Sequence, residues 1–240
     1  MAGQCFKGSI VTAVLLTAMF FGLSFAPIVT KMDQLDTWFV VDILRISFFV
    51  ASCTLLFLIH KWFGKEAKQN ERGPSKFVDA IAMAGLYIFI VGVVVTVVTT
   101  VIVHITWFQC HGGGSRETKA KAYAVVYMVY SILKLVYVMC VCVFIHVYRA
   151  KAFPDSRWVR FTLAITFNTI FWLYIDSEIT WSLAINKGDV LAPCDIETVS
   201  KMNELNRKCK VYFYPFVCEF CIIVSEALLN IFFHVKGKYM

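Results

Sequence analysis

The sequence predicts an all-α, polytopic membrane protein with six transmembrane helices, and it does so through composition, blocking and length. Apolar residues make up 59% of the 240 residues and charged residues only 16%, with a mean hydropathy of +0.70. Water-soluble domains hold about 45–50% apolar and about 25% charged residues, so this balance excludes that class. The apolar residues are gathered into blocks. About 20 of them in a helix, at about 1.5 Å each, cross a hydrocarbon core of about 30 Å. Six blocks reach that length and leave little chain over, so residues 1–240 read as a single membrane domain.

The first span lies near 8–28. Lys7, the apolar run to Phe25 and Ser24-Phe25-Ala26 imitate a cleavable signal. The run is longer than the roughly 7–15 residues of a signal core, and Pro27 stands where the new N-terminus would start, so the helix is read as retained. Further spans follow near 38–59, 77–107, 122–147, 158–184 and 211–235. The third is rich in Val and Thr, which in water would suggest strand, but a lone strand in lipid leaves its backbone unpaired. No segment alternates apolar and polar residues as a membrane barrel does.

Lys and Arg beside short loops set orientation. With a cytoplasmic N-terminus the inner flanks hold Lys7, Lys61, Lys65, Lys68, Arg72, Lys76, Arg149, Lys151, Arg157, Arg160, Lys236 and Lys238. The outer flanks hold fewer, mostly in the long loop after span five, where the rule is weak. Both termini are therefore placed in the cytoplasm. The net charge of +7 reads as basic helix ends against anionic headgroups, with the lipid bilayer as partner and no nucleic acid. Trp38, Trp107, Trp158, Trp181 and Tyr212 fall where an interfacial aromatic belt is expected, while Trp172 lies deeper, in packing or at a constriction.

Cys53, Cys140, Cys142, Cys218 and Cys221 fall within spans, where thiols pack as small apolar groups. Cys110, Cys194 and Cys209 fall outside, where disulfides can persist, and Cys194 and Cys209 bracket one loop that a disulfide between them could close. Neither Cys140-x-Cys142 nor Cys218-x-x-Cys221 is joined by a second ligand pair, so no metal site is expected. The chain has no Gly-rich phosphate loop, no HExxH and no Ser-His-Asp set, which argues against an enzyme and against a cofactor.

An ionisable residue at mid-depth costs roughly 2.5–3.5 kcal/mol on insertion scales, so each one asks for a reason. Asp42 and Arg45 stand three apart on one helical face and can pair with each other. His60, His146 and His234 sit at inner helix ends. His104, near the outer end of span three, is a candidate for sensing external pH. The deeper set comprises Lys134 in span four, Asn168, Asp176 and Glu178 in span five, and Glu219 and Glu226 in span six. Helical rise puts Glu178 at about 9 Å and Glu219 at about 12 Å below the outer ends, Lys134 at about 18 Å, Glu226 at about 22 Å and Asn168 at about 24 Å. Carboxylates at graded depth suit proton transfer along a wetted path. The competing reading is a buried Lys134–Glu226 bond that locks helix register.

Tyr212-Phe213-Tyr214-Pro215-Phe216-Val217-Cys218-Glu219-Phe220 resembles the Tyr-Leu-Tyr-Pro-Phe-x-x-Glu-Tyr signature of otopetrins, the proton-selective channels. Asn168-x-x-x-Trp172 is similar to the Asn-x-x-x-Trp of that family's fifth helix. The stretch from Lys7 through Gly22 and Pro27, and Gly85-Leu86-Tyr87 with Gly92, resemble its first and third helices. The resemblance implies a barrel-like six-helix bundle matching the N-terminal half of an otopetrin. It would sit in the plasma membrane, assemble as a homo-oligomer (dimer or tetramer), and conduct protons inward in response to extracellular acid. On this match Glu219 corresponds to the family's span-six glutamate, Asn168 and Trp172 to the span-five pair, and Glu178 approximately to the acid beyond it. The chain departs from the family in having six spans rather than twelve, and in Leu163 where a histidine is expected. Lys134 replaces an uncharged polar residue and Glu226 a small one. A non-conducting scaffold or accessory subunit, held by a structural Lys134–Glu226 pair, is the alternative expectation.

Overall fold

Long apolar runs with few helix breakers form helices, because in lipid only intrahelical bonding satisfies the backbone. The computed structural model describes residues 34–69, 76–110, 115–154, 156–185 and 197–234. They form α1 (Gln34–Phe63), α2 (Lys76–Cys110), α3 (Ser115–Tyr148), α4 (Arg157–Ile185) and α5 (Glu197–His234). All five are long and apolar enough to cross a membrane, and the chain is an all-α polytopic membrane protein. The expected span at 8–28 lies outside the described residues, as does Cys194.

Two helices start earlier than hydropathy predicts. α5 begins at Glu197, so much of the segment expected to be an outer loop is helical. Its polar leader is stabilised along one helical face, where Glu204 pairs with Arg207 at 2.7 Å and with Lys208 at 3.7 Å. α3 likewise starts at Ser115, through a charged stretch that favours helix but not lipid. In the Val/Thr-rich α2, Thr96, Thr99 and Thr106 donate to the carbonyls of Val93, Val95 and Val103, which satisfies their hydroxyls within the helix.

The helices neighbour one another in the cyclic order α1, α3, α2, α5, α4 and back to α1, and α3 also touches α5 across the ring. A two-residue antiparallel ladder joins β1 (Lys68–Gln69) to β2 (Lys151–Ala152), with Lys68 opposite Ala152. It holds the α1–α2 and α3–α4 connections at one end of the bundle, the ladder end. The outer surface of the ring carries exposed Val50, Phe57, Ile88, Val91, Val143 and Ile222, a composition suited to lipid contact.

Two features let α5 pack closely. A β-carbon on Gly92 of α2 would come within 2.6 Å of the Phe216 β-carbon, so only glycine admits Phe216 there. Gly92→Ala is expected to cost about 1–3 kcal/mol, read as a lowered unfolding midpoint in detergent; an unchanged midpoint would refute the close fit. Pro215 lies inside α5 and has no N–H for the carbonyl of Val211, one turn back. The indole Nε1–H of Trp181 on α4 donates to that carbonyl at 3.1 Å. Trp181, expected only in the aromatic belt, thus also ties α4 to the proline turn. Trp181→Phe is expected to cost about 1 kcal/mol in the same assay.

Candidate functional site

One face of α3 organises the interior. Tyr123, Tyr127, Tyr130, Lys134 and Tyr137 recur at spacings of four and three, so they line a single stripe. Every one of these side chains except Tyr127 is buried, and Tyr127 is partly buried. The rings follow one another along the helix: Tyr123 lies 5.8 Å from Tyr127, and Tyr127 lies 5.6 Å from Tyr130. Phe49 of α1 stacks on both Tyr130, at 5.7 Å, and Tyr137, at 4.9 Å. The stripe therefore presents hydroxyls and one ammonium group to the centre of the ring of helices.

Four buried charges meet there. Arg45 of α1 donates through one terminal nitrogen to Asp42 at 2.9 Å and through the other to Asp176 of α4, also at 2.9 Å. The second oxygen of Asp176 accepts from the Tyr130 hydroxyl at 2.7 Å, and the Arg45 guanidinium lies 5.6 Å from the Tyr130 ring. Lys134 is a second buried cation whose field reaches Asp176, with Lys210 of α5 acting in the same direction, and its ammonium sits 5.2 Å from the ring of Tyr214 on α5. Two carboxylates thus face two cations, with Asp42 fully buried and Lys134 only 3% exposed. Such a set is tolerable in a low dielectric because charge is balanced within it. A cavity of about 10 Å³, scarcely the room for one water, lies between Arg45, Tyr130, Thr169, Trp172 and Asp176.

The buried polar groups continue to either side. Towards the end of α2, His104 stacks on Tyr127 at 4.5 Å. Its Nδ1 is 2.8 Å from the Thr100 carbonyl, which can only accept, so Nδ1 carries the hydrogen. Towards the ladder end, the Tyr137 hydroxyl donates to the Thr166 carbonyl at 3.0 Å. Thr166 donates its own hydroxyl to the Thr162 carbonyl, so Ser52 is the donor in the 3.1 Å contact with Thr166. Beyond this level, buried Leu56, Val141, Ile145, Leu163 and Leu228 make the interior mostly apolar, with Thr162 and Arg160 of α4 buried among the helices there. His60 and Tyr148, 2.7 Å apart, lie further towards the ladder end.

Among the residues singled out from sequence, Lys134, Asp176 and Asn168 are buried inside the bundle, with Trp172 beside Asp176. Glu178 is half-buried and interacts with Tyr174 and Cys218. Glu219 and Glu226 are exposed on the outside of α5. The ion pair considered between Lys134 and Glu226 is not formed, because α5 turns Glu226 outward and presents Tyr214 to Lys134. His104 is buried rather than at a surface, packed between its own helix and Tyr127. Cys209 carries a free thiol, and its expected partner Cys194 is outside the described residues.

The sequence reading missed Tyr130, Tyr137, Tyr214, Ser52 and Thr166 as site residues. The four-three spacing of the tyrosines in α3 was the available signal, since a polar-tipped ring repeated on one apolar helix face marks an interior stripe. Asp42 and Arg45 were paired correctly with each other, but their link to Asp176 joins helices far apart in the chain. Comparison with protein-family models, with curated proteins and with solved structures finds no match to this chain.

Proposed function

We propose that this chain is a proton-selective channel that passes protons inward in response to external acid, with a route centred on Asp176. The reading takes the span near 8–28 as a sixth helix of a barrel-like bundle. It also takes both termini as cytoplasmic, the plasma membrane as the site, and a dimer or tetramer as the assembly. The observation that carries it is the placement of Asp176. It is a carboxylate buried among spanning helices, held by Arg45 and Tyr130, with hydroxyls and Lys134 stacked along the same interior. Buried ionisable groups in membrane spans are expensive and mark proton or substrate routes. A proton arriving at Asp176 neutralises it and weakens its pair with Arg45, which Asp42 still holds. That exchange couples protonation to the contact between α1 and α4. The otopetrin-like run from Tyr212 to Phe220, whose Tyr214 faces Lys134, adds support.

The test is proton flux into liposomes bearing the purified chain, driven by an acid step. Wild type is expected to conduct, Asp176→Asn to lose about tenfold or more, and Asp176→Glu to retain flux because it keeps the carboxyl group. Loss of flux in Glu219→Gln but not in Asp176→Asn would move the route to the outer face of α5. A second reading, a non-conducting scaffold or accessory subunit, is favoured by the cancelling charges and by the mostly apolar interior beyond Tyr137. No flux from wild type with confirmed incorporation would establish that reading instead.

A further inference from the structure

A groove of about 320 Å³ runs between α1 and α3 on the outside of the bundle, apart from the buried charges. Phe57, Met139, Val143 and Val147 line it, and His60 and Tyr148 stand at its ladder end. Phe57 is 64% and Val143 61% exposed, so the groove faces the surroundings rather than the bundle interior. Its two halves differ in chemistry. Along the helices its described lining is apolar apart from the thiols of Cys53 and Cys140. At the ladder end it meets a hydrogen-bonded polar pair, in which His60 Nδ1 lies 2.7 Å from the Tyr148 hydroxyl.

That end is also basic. The Lys151 ammonium lies 5.3 Å from the Tyr148 ring, and Lys61 and Lys65 are exposed on the last turn of α1 and just beyond it, with Glu66 the neighbouring acid. Gly64 makes the approach possible, since a β-carbon there would collide with the His60 carbonyl and the Tyr148 hydroxyl. We infer that the groove binds one anionic phospholipid, its acyl chain lying between α1 and α3 and its phosphate held at the His60–Tyr148–Lys151 end. The charge pattern selects this occupant. An acyl chain gains little by leaving surrounding lipid for an apolar groove, so shape alone does not discriminate. Basic residues at the headgroup level do discriminate, at roughly fivefold in affinity for each Lys. This inference is independent of proton conduction.

The test uses the full chain purified from vesicles of equal parts phosphatidylcholine and phosphatidylglycerol, with retained lipid counted by native mass spectrometry. One phosphatidylglycerol per chain is expected, enriched at least about fivefold over phosphatidylcholine. Lys151→Gln, in a connection outside the spans, is expected to reduce that enrichment roughly fivefold. Val143→Trp fills the groove from an exposed position and is expected to abolish retention while helical content by circular dichroism is kept. Equal retention of both lipids, or enrichment unchanged in Lys151→Gln, would overturn the site as a mere lipid annulus. Full competition by soluble glycerol phosphate would overturn it in favour of a free-phosphate site. A photo-crosslinker at position 143 that captured residues 8–28 or a second copy of the chain, instead of lipid, would overturn it in favour of a protein contact.

Discussion

Arg45→Met is expected to lower the unfolding free energy by about 3–5 kcal/mol, the largest stability effect of any single change considered. Among the described residues, Arg45 is the one side chain that bonds to both Asp42 and Asp176, at 2.9 Å each. Without it, two carboxylates stay buried with Lys134 as the remaining cation of the cluster, and Tyr130 keeps its bond to Asp176. The cost comes from stranded charge rather than from lost attraction. The combined variant Asp42→Leu, Arg45→Met, Lys134→Met and Asp176→Leu is therefore expected to be far less destabilised than Arg45→Met, and close to wild type. Chemical denaturation in mixed micelles, followed by circular dichroism, measures both. Additive losses across the four positions would show that the charges do not act as one network.

Lys134→Gln is expected to raise acid-driven proton flux about tenfold, which corresponds to lowering a barrier by about 1.4 kcal/mol. The ammonium of Lys134 stands in the same interior as Asp176, 3% exposed and against Tyr214. A fixed cation beside a proton route repels the passing charge by a few kcal/mol at an effective dielectric of about 20, less what Asp176 offsets. Glutamine removes that charge, fills a similar volume and keeps a hydrogen-bonding end. The substitution also removes the contact with the Tyr214 ring and one of the two cations that balance Asp42 and Asp176, so stability falls as well and flux is read against the amount of folded protein. Flux that falls or stays level in correctly folded Lys134→Gln would take Lys134 out of the route.

The exposed acids of α5 give the sharpest contrast between expectation and structure. Glu219 and Glu226 share a helical face, and with Lys134 at comparable depth an inward-facing ion pair was a reasonable expectation. Depth along a helix follows from counting residues, whereas rotation about the helix axis follows from which face packs better. In α5 the face with Tyr214, Val217, Cys218, Cys221, Val224 and Leu228 is buried, and it carries the apolar volume that fills the ring interior. The acids were legible and so was their depth; the direction they point was not. The tyrosine stripe of α3 is the opposite case, since its spacing stands in the sequence and needed only to be followed around the helix.

Local sequence was enough to establish that the chain is helical and apolar enough to span a membrane, where the five described spans lie, and that Asp42 and Arg45 can pair. Those are local properties, set by the hydropathy of about 20 consecutive residues or by side chains one turn apart. The tertiary structure alone decided that Arg45 reaches Asp176, that Trp181 serves the carbonyl freed by Pro215, that Phe216 enters at Gly92, and that Glu226 turns away from Lys134. Each of these depends on the order of helices around the ring and on their rotation. Both are settled by close packing between segments remote in sequence, which no local pattern encodes.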